Sequence, residues 1–215
     1  MVNSHNTRST SLALLCLLAL GVAHPAHAGV HAMRAWGNHR QVGHAGATFR
    51  NSQGGITHAR ETRMSGPNGA AAHGAYASVN PDGSVTHQGA TRVTGVNGGS
   101  RAGNNSYTRN ADGSVQGSYQ RTAIGASGGN YDSSGSYSRD ASGNWNADRQ
   151  TSAIGASRSY AGSSERSASA ASHTSTIHGA NGGTYTGQTT YARGQGVTHS
   201  GNCTDAGGNA VSCGH

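Results

Sequence analysis

Lysine is absent from this 215-residue chain, so every fixed positive side chain is an arginine. Leucine occurs only at positions 12, 14, 15, 17, 18 and 20. A GC-rich coding bias leaves the same two gaps, so neither carries a functional conclusion alone. Beyond residue 28, Val, Ile, Met, Phe and Trp together number 18 in 187 residues. A conventional core buries many such side chains at about 1.5–3 kcal/mol each, and this composition cannot build one. Low apolar content with high net charge would mean disorder. Here 14 Arg against 8 Asp and Glu beyond residue 28 leave only +6.

Catalytic machinery is also missing. Asp82, Asp112 and Asp140 lie at or beside turns, where aspartate bonds its own backbone. No histidine is spaced with a nucleophile and an acid as triads require, and little apolar sequence is available to line a pocket. The chain is not expected to be an enzyme, and no cofactor is implied.

What the chain does contain is repetition. Tyr107–Ser136 shifted forward by 30 residues carries Tyr107, Arg109, Gly113 and Ile124 onto Tyr137, Arg139, Gly143 and Ile154. Shifted back by 30, Asp112 and Val115 fall on Asp82 and Val85. A further step of 29 takes Val85 and His87 to Ile56 and His58. A period in this range means stacked supersecondary units. The copies lie near 48–76, 77–106, 107–136 and 137–166, with a shortened fifth at 167–193, so the repeat domain spans 48–193.

Residues 1–28 read as a secretory signal. Arg8 is the positive start, Leu12–Val22 the apolar run, and Ala26-His27-Ala28 the cleavage pattern. The run is too short for a spanning helix, and no transmembrane segment is expected. The product is expected outside the inner membrane: secreted, at the cell surface or in the periplasm. Residues 29–47 hold His31, His39, His44 and Trp36 and lack the repeat pattern. They read as a leader that covers one end of the stack, as a flexible arm, or as a small metal site.

Within each copy the period is two. Val115, Gly117, Tyr119, Arg121 and Ala123 share one face, and Ser114, Gln116, Ser118, Gln120 and Thr122 the other. Ile56, Val85 and Trp145 take the place of Val115 in their own copies. This alternation predicts half-buried strands of about ten residues with Val115, Trp145 and Ile56 inward of Gln116, Asn146 and Thr57. Asp-Gly and Gly-Gly sequences between them predict turns. The fold class is therefore all-β, tandem strand-turn-strand repeats of about 30 residues. Short turns favour an extended antiparallel meander, and a β-solenoid is the alternative. Its open edges make self-association expected.

Residues 194–215 carry Cys203 and Cys213, which predict a disulfide holding the last strand. A metal-thiolate pair and an intermolecular link are the other readings.

His58, His87 and His199 follow Thr at equivalent points and are the candidate metal ligands, although Gly117 and Ala147 interrupt the column. Arg63, Arg92, Arg109, Arg139 and Arg193 recur and are the candidate contacts to polyanions such as acidic exopolysaccharide, lipopolysaccharide or extracellular DNA. The alternative for these arginines is solubility.

In general character the chain resembles curlin-type fibre subunits: exported, rich in Gly, Ser, Asn and Gln, and built of strand-turn repeats. It departs from them in period and in placing Arg121 and Arg149 inside strands. The function expected is that of an exported structural or surface-associated protein, as fibre or biofilm-matrix material. The alternatives are an extracellular or periplasmic metal-binding protein and a polyanion- or polysaccharide-binding module.

Overall fold

The computed structural model describes residues 29–37 and 40–213. The stretch read as a signal, 1–28, lies outside the described residues, as do His39 and His215. The described chain forms fourteen strands and no helix. They are β1 (Gly29–Gly37), β2 (Arg40–Arg50), β3 (Ile56–Gly66), β4 (Gly69–Val79), β5 (Val85–Gly95), β6 (Ser100–Arg109), β7 (Val115–Ile124), β8 (Asn130–Arg139), β9 (Trp145–Ile154), β10 (Ser159–Ser167), β11 (Ala170–His178), β12 (Thr184–Ala192), β13 (Gly196–Thr204) and β14 (Ala210–Val211).

All fourteen lie in sequence order in one open antiparallel sheet, which is the meander and not the solenoid. The segment 29–47, read as a leader before the repeats, pairs as β1 with β2 and so supplies the first hairpin of the sheet.

The turns explain why the chain reverses so regularly. Eight of them, Asn51–Gly55, Asn80–Ser84, Gly95–Gly99, Asn110–Ser114, Gly125–Gly129, Asp140–Asn144, Gly179–Gly183 and Asp205–Asn209, share one hydrogen-bond pattern. The fourth residue is always glycine; it donates its N–H to the carbonyl of the first, and its φ lies between 78° and 91°. This is a type I turn closed by a left-handed residue, the common three-residue hairpin loop, and only glycine takes that φ freely. Gly98, Gly113, Gly128 and Gly143 stand 15 residues apart. Each 30-residue copy is therefore two strand-turn units.

Among the described residues every strand touches only its neighbours in sequence, and no second layer covers either face. Val115 is the one buried hydrophobic side chain among the described residues, at 6% exposure. The expected inward pattern holds for Val115 over Gln116 and for half-buried Trp145 over exposed Asn146. It reverses in the first copy, where Ile56 is 48% exposed and Thr57 only 7%. The cause is local. Thr57 Oγ1 donates to Ser78 Oγ at 2.9 Å, and Asn51 Nδ2 donates to Ser78 Oγ at 2.8 Å and to Asn80 Oδ1 at 2.9 Å. A polar cluster beneath the turns excludes water there, while Ile56 on the opposite face has nothing above it.

Such a sheet is held by its ladder bonds and cross-strand side-chain pairs, each pair contributing about 0.2–1 kcal/mol. Its cohesion is nearest-neighbour, as in other repeat proteins.

Candidate functional site: a basic, tyrosine-bearing sheet face

Antiparallel register fixes which side chains share a face, because directly opposed residues project to the same side. Carrying the register from β1 to β14 divides the strand residues into two sets with different chemistry. One set includes Arg40, Arg50 and Arg60 at the N-terminal end. It continues with Arg101, Arg109, Arg121, Arg139, Arg149 and Arg166 across β6–β10. No Asp or Glu stands on this basic face among the described residues. The opposite, polar face carries Arg34, Arg63 and Arg92 with four acids, Glu61, Asp132, Asp148 and Glu165. The other four acids, Asp82, Asp112, Asp140 and Asp205, lie in turns.

Tyrosines accompany the arginines on the basic face. Tyr107 and Tyr137 both oppose Gly117, one from each side, and are about 40% and 38% exposed. Tyr119 opposes Gly135, and a methyl group at Gly135 would fall 2.8 Å from Tyr119 Cε1. Tyr160 lies over Gly162, and Tyr185 over Gly187 and Gly201. The Arg121 guanidinium sits 5.3 Å from the Tyr119 ring centroid, within cation–π range. A hydrogen bond with Ser133 and the nearby Arg149 and Arg121 charges hold the Tyr131 phenol below its ordinary pKa. Burial instead raises Tyr76, on the polar face.

The histidines follow a simple rule. Six of them are paired through Nδ1 with a hydroxyl on the directly opposed residue: His44 with Thr62, His58 with Thr48, His73 with Thr91, His173 with Ser164, His178 with Thr184 and His199 with Thr189, at 2.8–2.9 Å. His31 and His44 lie 5.6 Å apart, centroid to centroid. The candidate ligands do not meet. His58 and His87 both oppose Ala77 and so share a row, whereas His199 stands on β13, ten strands from His58 on β3. At about 4.8 Å per strand that is roughly 48 Å. No three His, Cys, Asp or Glu side chains converge among the described residues. The row of His58 and His87 reaches β13 at Val197, so His199 stands two residues out of it.

The candidate polyanion contacts are also divided. Arg109 and Arg139 oppose Val115 from either side on the basic face. Arg63 and Arg92 share a row with Arg34 on the polar face, separated by Gly43 and Ala72, and Arg63 is paired with Glu61 at 2.5 Å. Arg193 lies in the turn before β13, where its N–H donates to the Ser169 carbonyl. The reading from repeats missed Arg101 and Arg166, and named Arg121 and Arg149 only as strand residues. Their common signal is residue-number parity carried through the turns, which puts 101, 109, 121, 139 and 149 on one side.

The polar face holds two shallow open grooves. One, of about 410 Å³, is lined by Ser, Thr and Gln side chains and Asp132. The other, of about 690 Å³, lies beside Trp36 and the Arg34, Arg63 and Arg92 row.

Cys203 and Cys213 are joined by a disulfide with Cα atoms 5.3 Å apart, which closes the end of the two-residue strand β14 onto β13. No candidate membrane-spanning helix occurs among the described residues. The geometry defines a single-layer, all-β repeat protein with two chemically distinct faces. No family model matches the chain, and no curated protein or solved structure matches it either.

Proposed function

We propose that the chain is an exported structural protein of the cell surface or extracellular matrix, whose working form is an assembly of copies joined at their sheet edges. The observation that carries this reading is the pair of open edges. β1 ends the sheet on one side. On the other, β14 pairs only with Cys203 and Thr204, so among the described residues the β13 edge from Gly196 to Asn202 has no partner strand, and all seven residues are exposed. An edge strand presents a row of unpaired N–H and C=O groups that another strand satisfies. Natural edges are commonly blunted by proline or covered by other structure. Here Pro67 and Pro81, the prolines among the described residues, both sit in or beside turns. With one buried hydrophobic side chain, the sheet gains little by closing on itself and much by adding strands. Export is supported by the signal-like 1–28 sequence and by the disulfide, which suits an oxidising compartment.

The test is electron microscopy of the purified protein beside two β13 variants, Val197→Pro and Thr198→Pro. Successive N–H groups of a strand point to opposite edges. One proline removes an outward donor and stops growth, and the other breaks a bond to β12 and unfolds the end. Filaments or ribbons in the parent that are lost in the outward variant support the reading. Dispersed single particles in all three oppose it.

A further inference from the structure

Four of the six arginines that β6–β10 place on the basic face lie on one line, while Arg109 and Arg139 flank Val115 at the end of their strands. Arg101 on β6 and Arg121 on β7 are offset by one strand and one row, since Gly103 opposes Arg121. Arg149 on β9 and Arg166 on β10 repeat the offset, since Arg166 opposes Ala147. Between the pairs, Gly135 opposes Arg149 and Ser133 opposes Arg121, so the line continues across β8 without a large side chain. The four guanidinium groups mark a diagonal of roughly 28 Å at ordinary strand and residue spacings. Tyr119, Tyr131 and Tyr137 stand within about a row of it, whereas Tyr107 lies three rows from Arg101 on β6.

We propose that this diagonal is a binding track for single-stranded nucleic acid, with the arginines on the phosphates and the tyrosine rings as stacking surfaces for the bases. The charge is one-sided: no carboxylate competes for the arginines on this face among the described residues. The surface belongs to one strand layer, with no projecting helix or ribbon among the described residues to enter a duplex groove. An open strand has unpaired bases to lay on solvent-accessible tyrosine rings such as Tyr137, and such stacking beside a cationic backbone track is how sequence-tolerant single-strand binding works. A polyuronate would satisfy the arginines but offers no planar ring to the tyrosines. This inference does not depend on edge-to-edge assembly, because a single copy presents the whole track.

The test is fluorescence anisotropy of a labelled oligothymidylate of about 20 nucleotides, titrated with the full purified chain at several salt concentrations. Four to six phosphate contacts predict a slope of log Kobs against log salt of roughly −3 to −4. The variant Arg101→Ser, Arg121→Ser, Arg149→Ser, Arg166→Ser is expected to weaken binding at least tenfold at low salt, with strand content checked by circular dichroism. Tyr131→Ala with Tyr137→Ala keeps every charge and is expected to cost roughly fivefold or more through lost stacking. Absence of binding at low salt overturns the proposal. So does unchanged affinity in the tyrosine variant, or equal competition by duplex DNA or by a polyuronate of matched charge, each of which reduces the face to a general polyanion surface. A greater loss on replacing Arg63 and Arg92 would move the site to the other face and overturn it too. Because oligomeric state is read separately by sedimentation without nucleic acid, failure here and failure of assembly are distinct results.

Discussion

Tyr119 lies across Gly135 of the adjacent strand, the two being directly opposed between β7 and β8. Among the described residues no second layer covers the sheet, so a glycine is buried only when a neighbouring side chain covers it, as Tyr119 does Gly135. A Cβ at Gly135 would lie 2.8 Å from Tyr119 Cε1 and 2.5 Å from the Asp148 carbonyl oxygen. The carbonyl belongs to the β8–β9 ladder and cannot yield cheaply. Gly135→Ala is expected to destabilise the protein by about 1–3 kcal/mol. Gly43→Ala meets nothing within 4 Å and is expected to be neutral or stabilising by about 0.4–1 kcal/mol. Thermal melts of the two variants check the pair.

The turn carboxylates set an acid limit. Asp82 and Asp112 are held below their ordinary pKa by hydrogen bonds with Ser84 and Ser114, Asp140 by Asn144, and Asp205 by Asn209. A lowered folded-state pKa means that the unfolded chain binds protons first, so this stabilisation is complete above the ordinary carboxylate range. It is lost as pH falls through the lower folded values. Melting temperature is expected to decline on acidification through and below the carboxylate range. The variant Asp82→Asn, Asp112→Asn, Asp140→Asn, Asp205→Asn is expected to flatten that decline.

Hydroxyl partners of histidine are expected to matter individually. Thr189→Val removes the hydroxyl that meets His199 Nδ1 at 2.8 Å while keeping a β-branched shape. The expected loss is about 0.5–1.5 kcal/mol. Hydrogen exchange should place it on β12 and β13, since each strand is coupled only to its neighbours.

Reducing the Cys203–Cys213 bond is expected to free the C-terminal end by about 3 kcal/mol. Amide exchange should rise in β13 and β14 and remain unchanged in β4–β9. An equal rise throughout would contradict nearest-neighbour cohesion.

The strands and turns were legible because each rests on local chemistry. Alternation at Val115–Ala123 needs a period of two, and Gly98, Gly113, Gly128 and Gly143 mark where φ must be positive. The charge division was not legible from residue lists. Arg63 and Arg92 recur within a strand and Arg109 and Arg139 at a strand end, and the recurrence alone does not say that the two sets face opposite sides; Arg92 opposes Ala102 and Arg109 opposes Val115. Only the pairing register, which depends on the number of residues in every turn, separates them. Ile56 shows a second limit: an apolar residue at a repeat-equivalent place is buried only where something lies above it. His199 shows a third, since it stands two residues out of the row of His58 and His87.

The most direct test of edge-to-edge assembly is sedimentation velocity of the purified protein across a range of concentration and salt. Repulsion between basic faces slows association, and salt screens it. The expected result is strand-rich multimers whose size rises with both concentration and salt. A single monomeric boundary at every concentration and salt level, unchanged over days with and without reductant, would contradict the account.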